Sequence, residues 1–253
     1  MHKLLSVAVT LLIAAMLPVG VAASSPSEDF AVANERYKER EYGKAIELST
    51  GIVGQGVESA ALYYNLGNAY FKDGDLGRAV LCYMRAKRLS PGDDDIVNNL
   101  DFARQFTSIQ MEGVKLNPVT SLVESLVDPY RLNTLAWASS ICFVFLMLML
   151  LLRFVFGMGG SIIRTGIVVG VILLVAASSV TTFKYRHEYL TRRAVLIADE
   201  SPVYAGPSED LDMEFEGAPG LVVEILSEAG DFCNVLFENK RRGWIRKELM
   251  AEI

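Results

Sequence analysis

Two long stretches without charged residues constrain this chain more than any other feature of its sequence. The first covers residues 132–152 and the second covers residues 165–183, and basic residues flank both. Both approach the ~20 apolar residues that an α-helix needs to cross ~30 Å of hydrocarbon. A helix without a polar face needs apolar surroundings on every side. The sequence therefore predicts two transmembrane helices, at 132–152 and 165–183, rather than two core helices of a soluble domain.

The segment between the two runs, residues 153–164, is short and rich in glycine. It is too short to form a domain, so the two helices are expected to form an antiparallel hairpin. Everything before and after the hairpin then lies on one side of the membrane. Gly166 and Gly170 are four residues apart, a spacing that lets membrane helices approach closely. We expect them to pack against the first helix near Ala136, although ordinary glycine usage in a membrane helix is the alternative.

Residues 1–23 have the pattern of a secretory signal peptide. A short basic start precedes an apolar run, and Val21 and Ala23 are the small residues expected before a cleavage site. Cleavage after Ala23 is expected, and an uncleaved anchor is the alternative. A signal peptide exports the region that follows it in either case. The regions before and after the hairpin therefore lie outside, and the short loop 153–164 is cytoplasmic. The basic cluster at 184–193 opposes this orientation under the positive-inside tendency, but the first hydrophobic segment usually dominates orientation.

Residues 26–106 contain an internal repeat. Residues 34 apart are identical in the pairs Asn34 and Asn68, Lys38 and Lys72, and Ala45 and Ala79. A period of 34 in helical, alanine-rich sequence is typical of the tetratricopeptide repeat (TPR). The second copy resembles the TPR pattern closely, with key positions at Leu66, Gly67, Tyr70, Gly74, Ala79, Tyr83, Ala86 and Pro91.

The first copy is weaker, because Ala33, Arg36, Arg40 and Ser49 occupy the positions of the small, aromatic and turn residues. A third helix after Pro91, with Asp93 or Asp94 as its N-cap, would cover the exposed apolar face of the last repeat helix. The prediction is a TPR domain at 26–106 with two repeats and a capping helix. Residues 107–131 form a linker with an amphipathic patch of Leu122, Val123, Leu126 and Val127. We expect this patch to lie at the membrane surface, and a solvent-exposed linker is the alternative.

Residues 190–253 change to an alternating apolar pattern. Five or so short strands separated by turns rich in Pro, Gly and Asp predict a small all-β barrel. The region resembles the bacterial SH3-like (SH3b) family in AVLIADESPVYAGPS, GLVVEIL, DFCNVLF and the closing RRGWIRKEL. It departs from the family at Pro202, Val203 and Tyr204, and at Phe232, where tryptophan is usual. Tyr204, Phe232 and Trp244 are the predicted partner-binding residues, and the acidic stretch 210–216 is expected to be a solvated loop.

Neither the charge nor the reactive residues favour catalysis or nucleic-acid binding. The net charge is −6 and the pI is near 5.1, whereas nucleic-acid binding needs a basic surface. His187 is the single histidine after the signal peptide, and the three cysteines fall in different segments. The stretch GIVGQG at 51–56 follows a predicted helix and lacks the lysine of a phosphate loop. We therefore expect no enzyme, no metal site and no cofactor.

The first helix of each repeat lines the concave face of a TPR array, so this face is the predicted partner-binding groove. An asparagine amide both donates and accepts hydrogen bonds, and so suits an extended peptide backbone. The alternative is that these asparagines only cap and solvate the helices. The predicted groove residues are Asn34, Tyr37, Lys38, Tyr64, Asn65, Asn68, Phe71, Lys72, Asn98 and Phe102.

TPR domains that clamp a terminal carboxylate resemble this groove at Asn34 and Asn65. Their basic residues are replaced here by Phe30, Asp95 and Asn99. The resemblance therefore implies a partner without a buried terminal carboxylate.

The order of modules defines a multidomain chain: an all-α TPR array, two transmembrane α-helices and an all-β SH3-like barrel. This order, with the passage SPGDDDIVNNLDFARQ before the hairpin, resembles the E-protein family of the bacterial aerotolerance (Bat) operons. The resemblance implies membrane partners with von Willebrand factor A domains and, indirectly, a MoxR-type AAA+ ATPase. It also implies an inner-membrane scaffold with periplasmic TPR and SH3-like domains. The alternative is a protein that binds or senses peptidoglycan.

Overall fold

The computed structural model describes residues 25–108 and 126–253. The predicted signal peptide and the first half of the amphipathic patch lie outside these residues. The N-terminal part is an array of five helices in which each helix packs on the next. They are α1 (Pro26–Lys38), α2 (Tyr42–Gly54), α3 (Ala60–Asp73), α4 (Leu76–Leu89) and α5 (Asp94–Ser108).

Short polar side chains define where these helices begin. Ser25, Ser59 and Asp75 accept hydrogen bonds from backbone N–H groups in the first turns of α1, α3 and α4. Asp93 Oδ1 accepts hydrogen bonds from the N–H groups of Asp95 and Ile96. Of the two predicted N-caps of α5, Asp93 is therefore the one that forms. Each cap satisfies donors that have no partner within the helix.

The small residues of the repeat allow α3 and α4 to cross closely. A methyl group on Gly67 would lie 2.8 Å from the ring of Tyr83 and 3.3 Å from the carbonyl oxygen of Ala79. Ala79 is itself fully buried. Any larger side chain at Gly67 would push the two helices apart, which explains the glycine at this repeat position.

Within the described residues, two helices are long and apolar enough to span a membrane, α6 (Leu132–Phe154) and α7 (Ser161–Tyr185). They pack against each other as a hairpin, and the hydroxyl groups of Ser139 and Thr181 lie 3.0 Å apart. A methyl group on Gly170 would lie 3.3 Å from Leu146. At Gly166 it would lie 3.0 Å from the sulfur of Met149. The glycines thus face the second half of α6 rather than the region of Ala136, because an antiparallel pairing places the start of α7 beside the end of α6.

A π-helical turn (Arg186–Leu190) leads into a seven-stranded antiparallel sheet in the order β3-β2-β6-β5-β4-β1-β7. This arrangement is consistent with an SH3-like or barrel-like domain. The strands are β1 (Arg193–Leu196), β2 (Ser201–Tyr204), β3 (Met213–Gly217), β4 (Val222–Ala229), β5 (Phe232–Phe237), β6 (Arg242–Arg246) and β7 (Met250–Glu252). A 3₁₀ turn (Lys247–Leu249) precedes β7.

The sheet has two strands more than the five or so expected, and β3 corrects the prediction of a loop at 210–216. Met213, Glu214 and Glu216 are exposed on this edge strand, while Phe215 packs against the core. An edge strand with solvent on one side tolerates charged side chains. Its sequence therefore lacks the apolar alternation by which strands are recognised.

The helical array and the sheet share a hydrophobic core. Val80 and Leu100 from the helices pack with Val195 and Val222 from β1 and β4. The approach is close, since a methyl group on Gly77 would lie 2.7 Å from backbone atoms of residues 196 and 197. The sheet therefore covers the outer side of α4.

Polar contacts join the same two parts of the chain. Arg104 of α5 pairs with Glu238, and Arg85 and Arg88 of α4 donate to the carbonyl oxygens of Glu252 and Ile253. The two predicted modules are thus packed together rather than merely tethered.

Candidate functional site

A ladder of asparagine amides connects the first helices of the array. Asn65 Nδ2 donates to Asn34 Oδ1 at 2.8 Å, which joins α3 to α1. Asn99 Nδ2 donates to Asn68 Oδ1 at 2.9 Å, which joins α5 to α3 in the same way. Asn99 follows Asn65 by one repeat period, so the 34-residue spacing could have identified it.

Tyrosine hydroxyl groups extend the ladder. Tyr83 donates to Asn68 Oδ1 at 2.8 Å, and Tyr64 accepts from Asn99 Nδ2 at 3.0 Å. Burial raises the pKa of Tyr83 well above its usual value, so its hydroxyl remains a donor at neutral pH. The amides of these half-buried asparagines therefore serve the array itself, and each amide has more donor and acceptor capacity than these bonds use.

Other predicted groove residues are exposed. Lys38, Lys72, Asn98 and Phe102 lie on the surface of α1, α3 and α5. Lys38 forms an exposed ion pair with Glu35, and the half-buried ring of Tyr37 packs against Tyr42 at 5.5 Å. These side chains can meet a partner without disturbing the packing of the helices.

Three phenylalanines form a cluster at the end of this face. The ring of Phe71 lies 5.7 Å from Phe102 and 5.8 Å from Phe106, and those two rings are 5.3 Å apart. Phe102 and Phe106 are 51% and 52% exposed. Phe106 was not predicted, although it follows Phe102 by four residues and therefore shares its helix face. We call these three residues the phenylalanine cluster.

The three aromatic residues predicted in the sheet domain lie on one face. Tyr204 on β2 pairs across the sheet with Trp244 on β6, and Trp244 pairs with Asn234 on β5. The ring of Phe232, two residues before Asn234, meets Tyr204 edge to face at 6.1 Å. Gly243 lets β2 and β6 lie side by side, because a methyl group there would lie 2.2 Å from Val203. We call Tyr204, Phe232 and Trp244 the sheet aromatic cluster.

Asn234 adds a polar group beside this cluster that the sequence did not single out. Its Oδ1 atom is buried, and no hydrogen-bond donor reaches it within the part of the chain that the structure describes. An unsatisfied buried acceptor costs about 1–3 kcal/mol.

The reactive side chains are arranged for packing. Burial raises the pKa of Cys82 to about 12, and burial also raises the pKa of Cys233. Both thiols therefore stay protonated at neutral pH, where a nucleophile would need the thiolate. Across residues 25–108 and 126–253, no group of three His, Cys, Asp or Glu side chains is placed to hold a metal ion.

The family model of the tetratricopeptide repeat matches residues 60–93, which contain α3, α4 and the turn after them. Tetratricopeptide repeats are protein-interaction modules that are typically not catalytic. The search of curated proteins finds no match to the chain. The helical array thus contains a recognised interaction repeat, and α1 and α2 add a second helical pair before it.

Proposed function

We propose that this chain is a non-enzymatic membrane scaffold that binds partner proteins through the face formed by α1, α3 and α5. The observation that carries the proposal is the division of the array into a covered side and an open side. The sheet covers α4, whereas the side that carries the asparagine ladder leaves Phe102 and Phe106 half exposed. Exposed aromatic rings of this kind are common anchors at protein interfaces.

The surface of the hairpin supports membrane anchoring. Trp137, Ile141 and Ile172 are 64%, 66% and 62% exposed, and they belong to helices without a polar side. Exposing such apolar area to water costs about 25 cal/mol per Å², so a lipid environment is strongly preferred. The helical array and the sheet meet at one end of the hairpin, as expected if both lie on the same side of the membrane.

The proposed orientation places both domains in the periplasm of a bacterium, with 153–164 facing the cytoplasm. The basic flank at 184–193 is compatible with it, because Lys184 and Arg192 are engaged in ion pairs within the protein. By the family resemblance, membrane proteins with von Willebrand factor A domains are the proposed partners, and a MoxR-type ATPase would be reached indirectly. Reporter fusions after residue 108 and within 155–160 would test the orientation, which a cytoplasmic signal at the first position would overturn.

Crosslinking in native membranes tests the groove. We expect the full chain to capture a discrete partner, and expect Phe102→Ala combined with Lys72→Ala to reduce its recovery at least tenfold. Glu47→Gln on the exposed side of α2 is the matched control and should leave recovery unchanged. Equal recovery with all three proteins would remove the groove from the proposal.

A second function, binding of peptidoglycan by the sheet domain, is favoured by the sheet aromatic cluster, whose rings are partly exposed on one face. Partly exposed aromatic rings with an amide beside them suit a ligand that presents both apolar faces and polar groups, such as an acetamido sugar or a stem peptide. Full-length protein in detergent should sediment with purified sacculi, and Trp244→Ala should abolish sedimentation. Leu226→Ala, which alters an exposed residue of β4, is the control. Sedimentation that Trp244→Ala leaves intact would reject this site.

A further inference from the structure

A cavity of about 80 Å³ lies where the helical array, the hairpin and the sheet meet. Its walls come from α4, the turn before α6, the end of α7 and the start of β1. Four basic side chains line it: Lys87 and Arg88 from α4, Lys184 from α7 and Arg193 from β1. Three segments, α4, α7 and β1, thus bring positive charge to one place.

The charge of this cavity is not balanced by its own side chains. Two carboxylates, Asp128 and Glu188, line it beside the four basic groups, so its side chains carry a net charge of +2, and Arg88 also donates to the carbonyl oxygen of Ile253. Lys184 and Glu188 form its floor, with side chains 3% and 17% exposed. Lys87 and Asp128, which pair at 3.1 Å, lie nearer its opening and are 28% and 40% exposed. A ligand can therefore reach Lys87 from outside.

The position of the cavity along the hairpin indicates which anions it meets. Lys184 directly follows the second charge-free run, at the level where hydrocarbon would give way to headgroups. Tyr185 and Tyr189 stack at 5.6 Å beside it and are 47% and 59% exposed. Exposed tyrosines are enriched at this boundary in membrane proteins. The lipid phosphate layer lies at the same depth.

We propose that this cavity binds the phosphate group of an anionic lipid, with Lys87 and Arg193 contacting the phosphate oxygens near the opening. The proposal rests on the membrane anchoring proposed above. A buried water needs roughly 10–15 Å³ of such space, so the cavity has room for a group the size of a phosphate. Lysine and arginine side chains are the usual protein ligands of phosphate oxygens. The single negative charge of a lipid phosphodiester would offset part of this net positive charge.

The test measures binding of fluorescent phosphatidylglycerol and of fluorescent phosphatidylcholine to the full chain in detergent micelles. We expect about tenfold tighter binding of phosphatidylglycerol. Lys87→Gln combined with Arg193→Gln should abolish this preference. Arg153→Gln combined with Arg164→Gln, at the opposite end of the hairpin, should retain it. Asp128→Asn should strengthen the preference, because it removes a competing carboxylate while keeping the shape of the side chain.

Inorganic phosphate separates the two sources of this anion. If inorganic phosphate competes at high micromolar concentration and the protein does not prefer phosphatidylglycerol to phosphatidylcholine, the cavity binds soluble phosphate esters and the lipid assignment is overturned. The site itself would be overturned if the protein with Lys87→Gln and Arg193→Gln kept the preference for phosphatidylglycerol. It would also be overturned if the unaltered protein showed neither this preference nor competition by inorganic phosphate. Extraction of membranes at alkaline pH reports anchoring separately, so a failure of the anchoring proposal is distinguishable from failure of the site.

Discussion

Lys184 and Glu188, one helical turn apart at the end of the hairpin, form an ion pair of 2.8 Å in which the lysine side chain is 3% exposed. Lys184 Nζ also lies 3.4 Å and 3.3 Å from the carbonyl oxygens of Val127 and Asp128, just before α6. This buried lysine therefore fastens the end of α7 to the segment that enters α6.

Replacing Glu188 by glutamine should lower the free energy of unfolding by about 3 kcal/mol, because a buried ammonium group loses its counter-charge. Unfolding of the full chain by guanidinium in detergent would measure it. Glu35→Gln, which breaks an exposed pair with Lys38, is the control and should cost less than ~0.5 kcal/mol. Equal losses in the two proteins would show that burial does not strengthen the Lys184 pair.

Two glycines in the helical array should respond oppositely to alanine. Gly67→Ala should destabilise the array by about 1–3 kcal/mol, because the methyl group meets the ring of Tyr83 at 2.8 Å. Gly51→Ala in α2 should stabilise it by up to ~1 kcal/mol, since nothing lies within 4 Å and alanine favours helix. Thermal unfolding followed by circular dichroism would compare them. A Gly67→Ala protein as stable as the original would refute the close crossing of α3 and α4.

The turn between α1 and α2 contains an arginine in a conformation that favours glycine. Arg40 has a φ of 62°, and Gly74, 34 residues later in the turn between α3 and α4, has a φ of 94°. Arg40→Gly should raise stability by about 0.5–1 kcal/mol, because a left-handed conformation strains an L-residue. Gly74→Ala should lower it by a similar amount or more. Urea unfolding curves would measure both, and destabilisation by Arg40→Gly would contradict the inferred strain.

Alkaline pH should destabilise the array through buried acidic groups. Burial raises the pKa of Cys82 to about 12, and burial raises the pKa of Tyr63, Tyr70 and Tyr83. The unfolded chain loses its thiol proton from about pH 8.5, whereas the folded chain keeps it. The contribution of Cys82 is therefore complete below that pH and is lost as pH rises toward 12, with a slope of up to ~1.4 kcal/mol per pH unit.

Unfolding free energies measured from pH 6 to 11 would test this dependence. Cys82→Ala should give a shallower decline above pH 9. Between pH 6 and 8 the two proteins should show the same dependence, because the thiol keeps its proton in both states. Identical slopes above pH 9 would show that Cys82 is not buried in the folded chain.

Regular local patterns were sufficient for the fold class. The 34-residue period and the two charge-free runs predicted the helical array and the long apolar helices, and both are confirmed. The alternating pattern in 190–253 predicted a small all-β barrel, and the seven-stranded antiparallel sheet is consistent with an SH3-like or barrel-like domain. The strand count was underestimated because β3 and β7 are short edge strands. Their exposed faces carry acidic residues such as Glu214 and Glu252, which hide the period of two.

The candidate surfaces were predicted less completely. Asn34, Asn65 and Asn68 were chosen by repeat position, but their hydrogen bonds to one another and to Asn99 depend on the spacing between helices. The sequence does not distinguish Asn234, because an asparagine at this place in an alternating strand has the pattern of an ordinary polar position. Only the neighbouring strands show that its oxygen is buried without a donor.

The sequence by itself determined the helices and the strands with a buried face, because these depend on propensity and periodicity among near neighbours. Tertiary structure decided which faces meet. The contact of Gly77 with the backbone beside β1, and the gathering of Lys87, Lys184 and Arg193 around one cavity, join residues about 100 positions apart. Such contacts form only when the hairpin brings the C-terminal sheet back beside the helical array. They depend on the shapes of both surfaces, so patterns among neighbouring residues do not predict them.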